Sequence, residues 1–303
     1  MSRYIAVDVG GTNIKYALLD EEANILDQGE VPTPYESLEA FLQVLDRIYE
    51  GYKDQQPEAL VMAAPGRIDT KTGYFHTGGA LPYLYDVNVK KALADRIPLP
   101  FSVENDAKAA AMAELWKGSM KGVKNGIVIT FGTGIGGALI IEGRLYHGST
   151  SAAGELSGVP TNWNTRLPDP GGNWTDINCV RHMLDKYADR KRLERPQVDG
   201  RFFFAALNDG DEAAADELAW FCDTTATGIF ALQQILDVER VSIGGGISRQ
   251  PAFEAALNKA LDGLFERLSI WSPVSKPALS ACTFSNDANL IGALYNHLNR
   301  ENA

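Results

Sequence analysis

The sequence has few cysteines, no excess of positive charge and no long apolar segment. Its three cysteines, Cys179, Cys222 and Cys282, are far apart and odd in number, which argues against a disulfide framework or a Cys-x-x-Cys zinc site. The formal net charge is −11, from 28 basic and 39 acidic side chains, which argues against binding to nucleic acid or to an anionic membrane. No window approaches about 18 uninterrupted apolar residues, so we expect no transmembrane helix.

The first residues also lack a basic region followed by an apolar core and a cleavage site, so we expect no signal peptide. Together with the scattered thiols, this predicts a cytoplasmic protein. Its 303 residues, 45% of them apolar and 22% charged, predict a soluble globular chain long enough for two domains. The sequence contains no Gly-x-x-x-x-Gly-Lys-Ser/Thr pattern, which excludes a P-loop enzyme.

Two segments, 4–20 and 127–143, share one pattern: an apolar strand, a tight turn rich in glycine and threonine, and a second apolar strand. Glycine lets the backbone approach a ligand closely, and consecutive amides in such turns form anion-binding concavities. The turns contain Gly10, Gly11 and Thr12 in the first segment and Gly132, Thr133 and Gly134 in the second. We interpret them as a duplicated nucleotide clamp, although either could be a simple hairpin turn.

The second turn also matches the dinucleotide pattern Gly-x-Gly-x-x-Gly, which requires a helix directly after the glycines. Residues 138–141 are aliphatic and β-branched instead, so they favour a strand. Further along the chain, strands alternate with amphipathic helices, which predicts an α/β fold in which one scheme occurs twice. The predicted helices cover 38–52, 87–96, a segment after 106, 178–189, 213–236, 252–267 and 288–298, and the other strands cover 25–31, 59–63, 101–103, 241–243 and 278–284.

Acidic and amide side chains follow two of the predicted strands. Glu104, Asn105 and Asp106 lie between a strand and an alanine-rich helix, and a helix cap alone does not require three polar groups in succession. Open α/β sheets bind ligands at this end of their strands. Asp8 ends the first strand and either faces a magnesium–phosphate site or caps the turn.

Two further residues near the middle of the chain have alternative interpretations. Glu155 lies in an aperiodic segment, 150–176, that is typical of a long functional loop. It is either a site residue or a solvated surface carboxylate. His147 fits a hydrogen-bonded core or turn histidine better than a catalyst.

Five motifs in order resemble those of the ROK family of sugar kinases, within the actin/hexokinase-like ATPase fold. They occupy residues 8–15, 64–66, 104–106, 132–137 with Gly143, Gly148 and 153–155 downstream, and 244–247. The resemblance implies duplicated ribonuclease H-like domains flanking a cleft. We expect a smaller N-terminal domain, 1–106 plus about 287–303, and a larger C-terminal domain, 107–286.

The same resemblance implies transfer of the ATP γ-phosphoryl group to a sugar hydroxyl, with Asp106 as the catalytic base. Asn105, Glu155 and Gly79 would contact the sugar, and Asp8 would face Mg²⁺, through water or directly. The nucleotide would be bound by Asp8, Gly10, Gly11, Thr12, Lys15, Gly132, Thr133, Gly134, Gly244, Gly245 and Gly246. We further expect domain closure on sugar binding and a homodimer.

Two departures from the family pattern affect metal and sugar binding. Most members follow Ala-Gly-Glu with Gly-His and a cysteine-rich zinc loop, whereas this chain continues as 156–159, Leu-Ser-Gly-Val, and has Asn, Pro, Gly and Trp in 160–174. We therefore expect no zinc site. Family members that phosphorylate glucose often carry an Asn before Leu-Pro, where this chain has 78–82, Gly-Gly-Ala-Leu-Pro.

These departures leave the specific activity open between a β-glucoside kinase, an N-acetylmannosamine kinase and a kinase of simple hexoses. A non-catalytic sugar sensor or a transcriptional regulator is a different class. The acidic charge and the absence of residues for a helix-turn-helix ahead of Asp8 argue against the regulator.

Overall fold

A computed structural model describes residues 2–162 and 171–299. Its strands are β1 (Arg3–Val9), β2 (Asn13–Asp20), β3 (Ile25–Pro32), β4 (Ala59–Ala64), β5 (Ile68–Asp69), β6 (Tyr74–Phe75), β7 (Val87–Asn88), β8 (Phe101–Asn105), β9 (Gly126–Phe131), β10 (Ile135–Ile141), β11 (Arg144–Tyr146), β12 (Arg240–Gly244) and β13 (Ala278–Ala281). Its helices are α1 (Leu38–Tyr52), α2 (Val89–Leu93), α3 (Asp106–Lys117), α4 (Trp174–Asn178), α5 (Val180–Lys191), α6 (Gly200–Asn208), α7 (Glu212–Leu236), α8 (Pro251–Leu268) and α9 (Ala288–Leu298). Within these residues, no helix is both long and apolar enough to cross a bilayer.

The chain divides into two compact units. Unit 1 is formed by 1–121, 147–153 and 286–303, and unit 2 by 122–146 and 154–285. Helix α3 belongs to unit 1 because it packs on α9, so this division begins unit 2 after α3 rather than near residue 106. The assignment of two domains itself stays a prediction.

Each unit contains a five-stranded sheet, and the two sheets have the same topology. The order is β3-β2-β1-β4-β8 in unit 1 and β11-β10-β9-β12-β13 in unit 2. In both orders, neighbours among the first three strands run antiparallel to each other. The last two strands run parallel to the central strand, which is β1 in unit 1 and β9 in unit 2. The predicted α/β fold with a repeated scheme is therefore confirmed.

In unit 1, helices cover both faces of the sheet. Helix α1 begins after Ser37, whose Oγ accepts a hydrogen bond from Ala40 N at 3.2 Å, and its buried face packs with Ile5, Leu18 and Leu60. On the opposite face, α9 contributes Leu290, Ala293 and Leu294 to a second cluster. At the helix crossing, Gly292 approaches the backbone of Ala109 on α3 so closely that no Cβ fits between them.

Unit 2 has one larger core. Strands β9 and β12 contribute Ile127, Ile129 and Ile243, and α7 contributes Phe221 and Ile229. Phe131 meets Phe221 edge-to-face, with ring centroids 5.2 Å apart. This packing fixes the end of β9, where the second glycine-rich turn begins.

Several sequence-based element bounds were wrong. The predicted helix 87–96 is a two-residue strand followed by the short helix α2, because the Asn88 side chain accepts a hydrogen bond from Lys91 N and starts the helix later. The predicted helix 178–189 is interrupted at Cys179, whose backbone is extended. Helix α6 was not predicted, since three consecutive phenylalanines obscure its period. Part of the predicted long loop, 163–170, lies outside the described residues.

Candidate active site

The carboxyl ends of three parallel strands form one edge of the sheet in unit 1. Asp8 of β1 is in register with Ala63 of β4, which is in register with Glu104 of β8. Parallel strands end on the same side of a sheet, so the side chains after β1 and β8 come together there. The structure thereby places Asp8, Asn105 and Asp106 in one region.

Asn105 organises this edge through three hydrogen bonds. Its Oδ1 accepts from Lys108 N at 3.1 Å and so caps α3, while its Nδ2 donates to Gly66 O and to Asp106 Oδ1, both at 3.0 Å. Asp106 Oδ1 also accepts from Ala107 N at 2.8 Å. Two donors on one oxygen fix the orientation of the Asp106 carboxylate at the first turn of the helix.

Asp8 is nearly buried and interacts with a residue from the far end of the chain. Its Oδ1 accepts a hydrogen bond from Asn289 Nδ2 on α9 at 2.9 Å. The pKa of Asp8 is raised to about 6, mainly by burial and to a lesser degree by the negative charge of Asp106, while the hydrogen bond from Asn289 and the charge of Lys15 oppose the rise. Repulsion between the Asp8 and Asp106 carboxylates is thus one cause of the raised pKa of Asp8.

The first glycine turn is fixed by hydrogen bonds that its carbonyl groups accept. Thr33 Oγ1 donates to Gly10 O at 2.7 Å, and the Tyr35 hydroxyl donates to Gly11 O. Thr33 N also donates to Thr12 O at 2.9 Å. Gly11 and Thr12 themselves are exposed, so the turn is available to a ligand.

Two other predicted residues of unit 1 lie beside these groups. Lys15 of β2 pairs directly with Asp8 across the antiparallel ladder. Gly79 has a φ of +57°, and a Cβ on it would lie 2.9 Å from Pro65 Cβ. It therefore adjoins the Pro65-Gly66 turn, whose carbonyl accepts the Asn105 hydrogen bond.

In unit 2, the two remaining glycine turns lie side by side, because β9 and β12 are parallel neighbours. Gly245 has a φ of +89° and approaches Phe131 O so closely that no Cβ would fit. The turn after β9 is stabilised by a hydrogen bond from Gly132 N to Gly134 O at 2.9 Å and by Thr175 Oγ1, which accepts from Ile135 N at 3.1 Å. Gly132, Thr133, Gly245 and Gly246 are exposed, whereas Gly134 is half-buried and Gly244 is buried.

Glu155 is exposed and belongs to unit 2. The preceding Gly154 has a φ of +84° and packs against β10, where a Cβ would lie 3.0 Å from both Gly137 O and Ala138 Cα. The Ala-Gly-Glu motif is thus fixed on the strand that follows the second glycine turn.

Sequence reasoning missed several residues that support the predicted ones. Asn289 contacts Asp8 from 281 positions away, and neither its type nor its spacing signals that pairing. Thr33 and Thr175 were also missed, although a hydroxyl residue after a predicted strand is a weak signal. Among the residues the structure describes, no group of three or more His, Cys, Asp or Glu side chains could hold a metal ion. Residues 163–170, within the loop for which we expected no zinc, are outside that description.

Comparison with known proteins gives a consistent assignment. The ROK family model matches residues 4–299. A β-glucoside kinase of Klebsiella pneumoniae is 30% identical over 97% of this chain and 95% of its own length. A ROK family protein of Streptococcus pneumoniae TIGR4, crystallised with sucrose, superposes with a TM-score of 0.88 at 30% identity and covers 99% of both chains.

A glucokinase of Streptomyces griseus in complex with glucose and AMPPNP superposes with a TM-score of 0.80 at 25% identity, covering 99% of this chain and 100% of its own. The duplicated sheets and their site-bearing turns accompany a family match over nearly the whole chain. The chain therefore belongs to the ROK family.

Proposed function

We propose that this chain is an ATP-dependent sugar kinase that phosphorylates the 6-hydroxyl of a hexose or hexose derivative. The enzyme class, a phosphotransferase with an alcohol acceptor, rests on the family and on its kinase relatives. The observation that supports the mechanism is the oriented Asp106 carboxylate at the strand edge that also carries Asp8 and Asn105.

Asp106 acts as the general base. The proton of the sugar hydroxyl passes to its carboxylate while the hydroxyl oxygen forms a bond to the γ-phosphorus of ATP. The bond from that phosphorus to the bridging oxygen breaks, and ADP leaves. Because Asn105 Nδ2 and Ala107 N both hold Oδ1, the carboxylate is oriented before substrate binds, which reduces the entropy lost at the transition state.

The nucleotide is held by the glycine turns. In unit 1, Gly11 and Thr12 would supply backbone amides and a hydroxyl, while the Gly10 amide donates to Asn13 O and shapes the turn. In unit 2, the turns at 132–134 and 244–246 would supply further amides and the Thr133 hydroxyl. At least two residues of each turn are exposed, which supports this role. Phosphoryl transfer depends more on positioning and charge neutralisation than on covalent chemistry. Lys15, opposite Asp8 in the ladder, adds a positive charge.

The donor groups of unit 1 fit Mg²⁺. Asp8 supplies a hard carboxylate oxygen of the kind that Mg²⁺ prefers, and its repulsion with Asp106 is what a dication would relieve. When bound with ATP, Mg²⁺ would neutralise charge on the phosphates. Asp8 would hold it, directly or through a water molecule.

Sugar contacts come from Asn105, Glu155 and Gly79. A substrate larger than glucose is favoured by the sequence after Glu155, where Ser157 stands in place of the sugar-contacting histidine of most family members and leaves more room for the sugar. A β-glucoside is the preferred candidate, since a relative of that name is 30% identical, and an N-acylated hexosamine is the alternative. We further propose a cytoplasmic homodimer that binds neither nucleic acid nor membranes.

The test is a coupled ADP-release assay over glucose, cellobiose, N-acetylmannosamine and related sugars. We expect sugar-dependent ADP release with a preference for the β-glucoside, and identification of the product by NMR at the 6-position. Asp106→Asn should lower kcat by about 10²–10⁴-fold, whereas Asp95→Asn, an exposed control in unit 1, should leave it unchanged. Full turnover in Asp106→Asn would refute the base assignment, and a clear preference for glucose would refute the β-glucoside.

A further inference from the structure

Two charged side chains that the proposed mechanism does not use are buried on either side of Asp106. Glu104 lies two residues before it and Lys108 two residues after it, and each is 1% exposed. A buried charge is costly unless it is paired and hydrogen-bonded. Their partners are therefore part of the structure that supports the base.

Each of them has a partner in one short segment, residues 147–153, which we call the strap and which belongs to unit 1. His147 Nε2 lies 2.7 Å from Glu104 Oε2. Lys108 Nζ donates a hydrogen bond to Ser151 O at 3.0 Å. The strap thus contacts the chain immediately before and immediately after Asp106.

The strap has a defined conformation of its own. Ala153 N donates to His147 O at 3.1 Å and closes the loop. Gly148 and Ser151 adopt φ values of +71° and +59°, and a positive φ at a serine has a conformational cost that surrounding contacts must offset. The strap therefore holds His147 and Ser151 at fixed positions.

A continuous series of hydrogen bonds leads from His147 to the base. Because a carboxylate can only accept, His147 Nε2 donates to Glu104 Oε2. Glu104 Oε1 accepts from Asn105 N at 2.8 Å, and Asn105 Nδ2 donates to Asp106 Oδ1 at 3.0 Å. Loss of the imidazole would leave the buried Glu104 carboxylate without its side-chain donor and disturb the backbone at Asn105.

We propose that His147 is a positioning residue for phosphoryl transfer, which acts through Glu104 to fix Asn105 and the catalytic base. This inference rests on the proposed kinase function. Misorientation of the base affects the transition state more than nucleotide binding, so its loss lowers kcat with little change in the KM for ATP. A misplacement of about 1 Å can cost roughly 10²-fold in rate.

A second histidine that contacts β8, His297, provides a matched control. His297 Nδ1 lies 3.2 Å from Ser102 Oγ on β8, two residues before Glu104. It is also a half-buried histidine hydrogen-bonded to a side chain of that strand. A substitution of His297 tests whether the loss of any histidine that contacts β8 lowers activity by general destabilisation.

The experiment measures kcat, both KM values and thermal stability for wild type, His147→Leu, His147→Gln and His297→Leu, with ATP and the best sugar of the panel. We expect His147→Leu to lower kcat by about 10–100-fold with the KM for ATP within about twofold. His147→Gln, whose amide can donate to Glu104, should recover most of that loss. His297→Leu should keep kcat within about twofold of wild type.

If the wild type is active, three results would overturn this inference while leaving the proposed function in place. They are a wild-type kcat in His147→Leu, a kcat in His147→Gln no higher than in His147→Leu, and an equal loss of kcat in His297→Leu. A wild type without sugar-dependent ADP release would overturn the proposed function and the inference with it. If His147→Leu does not fold, His147→Asn replaces it with the same expectation, since its shorter amide cannot reach Glu104.

Discussion

Replacing Asp8 with asparagine should make the protein more stable while abolishing its proposed activity. Asp8 is 9% exposed, and burial raises its pKa from the ordinary value of 3.8 to about 6, with the charge of Asp106 contributing. Asparagine has nearly the same shape and can still accept the hydrogen bond from Asn289 Nδ2. It has no charge to bury and none to repel Asp106.

The magnitude follows from the two pKa values of Asp8. A carboxyl whose folded pKa exceeds its unfolded pKa destabilises the folded state as it ionises, so the penalty is absent below pH 3.8 and complete above the folded pKa. A difference of about two pH units corresponds to about 3 kcal/mol. The pKa of about 6 already includes the opposing effect of the hydrogen bond from Asn289, so nothing more is subtracted for it. We therefore expect Asp8→Asn to gain about 3 kcal/mol at pH 8, and less at pH 5.

The assay is calorimetric unfolding between pH 5 and pH 8 without divalent cations. For a unit of this size, about 3 kcal/mol corresponds to an increase in Tm of roughly 6–12 °C. Asp20→Asn is the matched control. Burial raises the pKa of Asp20, but hydrogen bonds from Asn24 and Glu22 outweigh it and hold the pKa below its ordinary value.

Asp20→Asn should accordingly lower stability across this range, because the favourable contribution of that carboxylate is present above its unfolded pKa. A stability gain in Asp8→Asn that does not change with pH, or a loss at every pH, would refute the reasoning about the buried Asp8 carboxyl.

The remaining predictions concern binding, packing and thiol reactivity. Glu155→Gln should raise the KM for the sugar by about tenfold or more, since a hydrogen bond to a charged group contributes about 1.5–3 kcal/mol; an unchanged KM would remove Glu155 from the sugar site. In a denaturation assay, Gly292→Ala should destabilise the protein by about 3 kcal/mol, because the added Cβ meets the backbone of α3. The control, Gly263→Ala on α8, should be neutral or stabilising, because its added Cβ meets no neighbouring atom within 4 Å. Half-exposed Cys282 should react with a thiol reagent in the native protein before Cys222, because burial raises the pKa of the Cys222 thiol to about 12; equal rates would contradict this.

Helices and strands could be predicted from the sequence where the apolar pattern agreed with the capping and turn residues. Helix α1 has an apolar stripe and a serine cap, and its predicted range, 38–52, is confirmed. The two glycine hairpins combine apolar strands with turns that few other residues allow. Prediction failed where local signals were weak, as at α6, or where a single cap moved the boundary, as Asn88 does at α2.

The sequence by itself determined the α/β class, the repeated strand–turn–strand units and the polar residues that follow the strands, because period, glycine and chain order are local properties. Only the tertiary structure decided which groups meet at those strand ends. Asn289 reaches Asp8 from α9, and His147 reaches Glu104 from the strap. The physical reason is that parallel strands and a returning helix bring together residues far apart in the chain, and burial then sets their charges and partners. No periodicity in the sequence encodes such pairings.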